Sequence, residues 1–75
     1  MKHLRSARHR ALVAAIIEAR TAAGLSQRAL AAKLKRSGSF IWKLESHEHR
    51  VDVLEFIDIA RACKADPHKL LDRLL

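Results

Sequence analysis

Residues 24–45, GLSQRALAAKLKRSGSFIWKLE, decide the fold of this chain. Gly24 supplies the positive φ that ends a preceding helix. Ser26 is an N-cap, opening a helix from Gln27 to about Leu34 with Leu30, Ala31 and Leu34 on its inner face. Gln27 and Arg28 occupy its first turn, beside the free N–H groups that attract phosphate. Ser37 is read as the N-cap of a further helix ending near Glu45, with Ile41 and Leu44 buried and Ser39, Trp42 and Lys43 facing outward. Phe40 is assigned to packing at the edge of the helix pair. Two short helices about four residues apart, with Lys35, Arg36 and Lys43 on their flanks, are suited to laying one helix in a DNA major groove.

Outward from this stretch the chain reads as helical throughout. Upstream, Leu12, Ile16, Ala19 and Ala23 share one helical face between about Arg8 and Ala23, widened by Val13 and Ile17. Residues 1–7, MKHLRSA, read as a basic arm, which leaves 8–75 as the domain. Downstream, residues 47–51 form a polar connection, and Asp52 with Glu55 reads as a capping box for a helix to about Cys63. Its expected buried face is Phe56, Ala60 and Cys63, with Val53, Ile57 and Ile59 alongside. Asp66-Pro67 then opens a short helix carrying Leu70, Leu71, Leu74 and Leu75. The expectation is an all-α, five-helix domain.

Composition agrees with that reading. Two Gly, one Pro, no Tyr and abundant Ala and Leu favour helices, and 75 residues support one modest core. A lone Cys63 forms no internal disulfide. The apolar run 11–17 falls far short of the roughly 20 residues of a membrane span, so a cytoplasmic, nucleoid-associated protein is expected. Charge is segregated. Residues 1–50 carry eleven cations against three acids, a net of +8, whereas residues 51–75 carry four against five, a net of −1. A surface facing a polyanion segregates charge in this way.

Arg20, Gly24-Leu25-Ser26-Gln27, Leu30-Ala31, Ile41 and Glu45 together resemble the Cro/phage-repressor (Xre-type) helix-turn-helix family, from about Leu12 to Leu71. The resemblance implies that Gln27 touches a phosphate while orienting the third helix. It places Ser37, Gly38, Ser39 and Lys43 at or beside base edges, with Lys43 suited to guanine O6/N7 and Ser39 to several bases. Lys35, Arg36 and Arg50 become phosphate contacts, and Arg20 and Glu45 match a buried ion pair joining the first and third helices. Three positions depart from the family pattern. Gly is usual where this chain has Lys35, His47 and Lys64, and a side chain in the left-handed region costs on the order of 1 kcal/mol, so distorted turns are expected there. Trp42 stands where a small or polar residue is typical, exposed for thymine methyls, deoxyribose or a protein partner.

Other chemistries find less support. His47-Glu48-His49 is the one dense cluster of metal-binding types, and an H-x-H pair on a loop supplies two ligands at most. No nucleophile–base spacing or Gly-rich phosphate loop occurs, so neither enzyme activity nor a metal or other cofactor is expected. The serious rival is a repressor-like interaction module, such as the antitoxin of a toxin–antitoxin pair, motivated by Trp42 and the terminal LLDRLL. The sequence therefore predicts a regulator of double-stranded DNA, a repressor by preference. It would bind as a homodimer through the last helix and residues 48–52, or through the first helix, with Leu74→Asp as the probe. A membrane-surface helix is the weaker alternative.

Overall fold

The computed structural model describes residues 6–75, which form five helices in the order α1 (Ala7–Ala22), α2 (Gln27–Lys33), α3 (Phe40–Glu45), α4 (Val53–Ala62) and α5 (Pro67–Asp72). Among the described residues there is no strand. Residues 1–5 of the expected basic arm lie outside the described residues, and Ala7 already belongs to α1. Ser6 is its N-cap, accepting from the His9 N–H at 3.1 Å.

Side-chain caps start four of the helices. Ser26 accepts from the Ala29 N–H at 3.0 Å, and Asp66 from the His68 N–H at 2.8 Å with Pro67 in the first turn. Asp52 and Glu55 form the reciprocal capping box, at 2.7 and 3.1 Å. Helix α3 differs from expectation. Ser37 does not cap it: the Ser37 carbonyl accepts from the Phe40 N–H at 3.0 Å, closing a tight turn through Gly38 and Ser39. The i→i+3 bond delays the helix to Phe40, and Ser39 stands at the N-cap without a side-chain bond.

Four helix ends share one geometry. After α1, Gly24 has φ +72°, its N–H donates to Thr21 O at 3.0 Å, and the Leu25 N–H donates to Arg20 O at 3.1 Å. That is the Schellman arrangement, which satisfies two terminal carbonyls. Lys35, His47 and Lys64, at φ 57°, 65° and 57°, repeat it after α2, α3 and α4. Each has the same pair of bonds; for Lys64 they are Lys64 N–H to Arg61 O at 3.0 Å and Ala65 N–H to Ala60 O at 2.8 Å. The distortion expected at these non-Gly positions is absent, because two hydrogen bonds and packing on either side outweigh a cost of about 1 kcal/mol.

Ile16, Leu30, Ile41, Leu44 and Ile59 are fully buried and join α1 to α4 in one core, with Leu70 closing it from α5. The buried face of α4 is the expected one except in its first turn, where Val53 turns outward. Ile59, Ala60 and Cys63 face inward, Phe56 and Ile57 are half-buried, and Val53 is 72% exposed. Ala23, expected on the shared face of α1, is exposed, and of the apolar residues at the end of the chain Leu70 is buried whereas Leu71 and Leu75 are exposed.

Candidate nucleic-acid interface

The third helix is held from behind. Arg20 Nε and Nη2 donate to the two Glu45 carboxylate oxygens at 2.6 and 3.1 Å, and Arg20 Nη1 donates to Leu25 O at 2.9 Å. Gln27 Nε2 adds a bond to Glu45 Oε1 at 2.8 Å. One carboxylate thus ties α1 and the start of α2 to the last turn of α3. Both side chains of the ion pair are nearly buried, 14% and 8% exposed, so the contacts are screened little by solvent. Gln27 is half-buried, and its amide N–H is committed to Glu45 rather than to solvent.

With Ile41 and Leu44 turned into the core, α3 leaves Trp42 and Lys43 exposed. Trp42 is 51% exposed and borders a shallow groove with Ile17, Gln27 and Ser46, toward α1. Ahead of the helix, Lys35, Ser37, Gly38 and Ser39 are exposed in the turn. Arg28 lies over this turn: a Cβ built on Gly38 would sit 3.7 Å from its guanidinium, an ordinary contact that leaves room for a side chain. Arg50 is exposed in the segment after α3.

Arg36 is engaged within the protein. Its guanidinium stacks over Phe40, 3.9 Å from the ring centroid, and Nη1 donates to Glu55 Oε2 at 3.2 Å. His49 Nε2 lies 3.1 and 3.2 Å from the Glu55 oxygens and meets the Phe40 ring edge-on at 5.1 Å. Burial pushes the Glu55 carboxyl up, but the Asp52 backbone N–H, His49 and Arg36 outweigh it and hold it below its ordinary 4.5. Glu55 is read from the sequence as a capping residue alone. Its contacts with Arg36 and His49 carry no local signature, since Arg36 is nineteen residues away.

The histidines of the 47–49 cluster diverge. His47 packs edge-on against His9 at 5.4 Å, whereas His49 turns to Glu55 and Phe40. Among the described residues no three His, Cys, Asp or Glu side chains converge as a ligand set, and no helix is long and apolar enough to cross a membrane. Burial pushes the Cys63 thiol up against the opposing fields of Arg20 and Lys33, which leaves it a poor nucleophile.

A helix pair locked to a scaffold, with polar and cationic side chains on its free side, defines a helix-turn-helix protein. A family model described as a helix-turn-helix domain matches residues 2–74. Among solved structures, the chain is similar to an XRE-family like protein from Pseudomonas syringae pv. tomato str. DC3000. The two are 46% identical over 97% of this chain and 89% of that one, with a TM-score of 0.87. No curated protein matches. The chain belongs to the Xre-type helix-turn-helix family. Its general class is that of the DNA-binding regulators, which are typically non-enzymatic.

Proposed function

We propose that the protein is a sequence-specific transcriptional repressor that inserts α3 into the major groove of double-stranded DNA. One observation carries this reading. The Arg20–Glu45–Gln27 network fixes α3 from its inner side, and the side left free holds Lys43 with Ser37, Gly38 and Ser39 in the preceding turn. A rigidly mounted helix with hydrogen-bonding groups at its start suits direct readout of base edges. Lys43 is assigned to guanine, Ser39 to less selective base contact, and Arg28, Lys35, Arg36 and Arg50 to phosphates. Gln27 serves through orientation, with its amide oxygen toward the backbone. Trp42, beside α1, is assigned to sugar or thymine methyl contact.

A single recognition helix reads few base pairs, so the protein is proposed to bind as a homodimer on half-sites about 34 Å apart. The exposed apolar residues Val53, Leu54, Leu71 and Leu75 support an interface on α4 and α5. Val53 and Leu71 line one groove there with Phe56, Ile57 and Pro67. The proposal keeps the last helix expected from sequence and puts the first turn of α4 in place of residues 48–52, because Val53 and Leu54 supply apolar surface there. The same groove favours a second reading, in which a protein partner such as a toxin occupies it.

Selection of bound fragments from random duplex DNA tests the proposal; a palindromic consensus is the expected result. Lys43→Ala should weaken binding to the selected site more than to random duplex, while Lys35→Ala should weaken both and reduce the log–log salt slope by about 0.9. If neither substitution changes affinity, α3 is not the reading element.

A further inference from the structure

Arg36 is more than a surface cation. Its guanidinium is held on one face by the Phe40 ring and on one edge by Glu55, while its side chain remains 43% exposed. Among the described contacts only Nη1 has a hydrogen-bond acceptor, so Nε and Nη2 are open to a second anion. Glu55 is itself immobilised. It is 16% exposed, closes the α4 capping box through the Asp52 N–H, and is met by His49. The planar guanidinium fork can stack on a ring and bridge two anions at once, which an ammonium cannot. An exposed ion pair of this kind contributes little to stability, so its consequence lies in ordering the side chain.

We infer that Glu55 is a positioning residue for Arg36: with Phe40 it holds the guanidinium ready to receive a DNA phosphate ahead of α3. This rests on the DNA-binding reading above. Freezing a long side chain before binding removes an ordering cost, equivalent to roughly three- to tenfold in affinity. Lys at position 36 would keep the charge and lose that advantage.

A double-mutant cycle on a selected duplex separates positioning from charge. Arg36→Lys is expected to weaken binding roughly three- to tenfold with Glu55 in place, and less than about twofold in the Glu55→Gln background. Gln preserves a capping residue at this position. Glu55→Asp is the companion variant, keeping the charge while withdrawing it from Arg36, and it should uncouple Arg36 in the same way. Lys43→Ala should weaken binding equally in every background. If Arg36→Lys costs the same in all backgrounds, or nothing in any, while Lys43→Ala still weakens binding, the positioning role is overturned and the DNA reading stands. If neither Lys43 nor Arg36 substitutions affect retention, the DNA reading is overturned and the positioning role falls with it.

Discussion

Arg20 in the last turn of α1 and Glu45 at the end of α3 meet through two hydrogen bonds, at 2.6 and 3.1 Å, with both side chains nearly out of solvent. The two are twenty-five positions apart in the chain, with all of α2 between them. The geometry makes Glu45 the more exacting member. It accepts from Arg20 twice and from Gln27 once, whereas Arg20 retains Leu25 O if Glu45 is lost.

Removing either partner leaves the other charge almost buried, and the expected loss is about 3–5 kcal/mol. Glu45→Ala should cost at least as much as Arg20→Ala, because it also strands the Gln27 amide. Urea unfolding checks this through a lowered midpoint at constant slope. A midpoint unchanged within experimental scatter for both variants would show that the pair contributes no stability.

Lys64 occupies the left-handed region with φ 57° at an exposed position after α4. Lys64→Gly should stabilise the protein by up to about 1 kcal/mol, since the strain is relieved and both Schellman bonds are kept. The added freedom of the unfolded chain offsets part of that gain without reversing it. Thermal unfolding of the pair of proteins gives the sign, and a lower midpoint in the Gly variant would contradict the strain argument.

The depressed Glu55 pKa has a defined consequence for acid stability. A carboxylate held lower in the folded than in the unfolded state stabilises the fold above its ordinary 4.5, and that contribution is lost as pH falls through the folded-state value. Glu55→Gln should therefore lower stability at neutral pH and show a shallower loss on acidification. Denaturation midpoints from pH 7 downward measure both, and parallel curves for the two proteins would exclude Glu55 as a contributor.

Val53 is 72% exposed in the first turn of α4, where an acidic side chain complements the helix dipole. Val53→Asp is thus expected to leave the monomer as stable as before, within about 0.5 kcal/mol, while weakening self-association. It is a cleaner probe than Leu74→Asp, because Leu74 is half-buried. Sedimentation at several concentrations reads the dimer, and an unchanged dissociation constant would move the interface elsewhere.

Local chemistry in the sequence determined the helices. Ser26, Asp52 with Glu55, Asp66 with Pro67, and Gly24 act within four residues of themselves, so each cap is visible without knowledge of the rest of the fold. The Arg20–Glu45 pairing was legible only through family resemblance. Tertiary structure alone decided two further features. It brought Arg36, nineteen residues away, onto Glu55, and it left Val53 exposed while Ile59 on the same helix is buried. In both cases the outcome depends on which helix faces which. Apolar periodicity marks a helix face to within about one residue, and a shift of one residue turns a helix by about 100°.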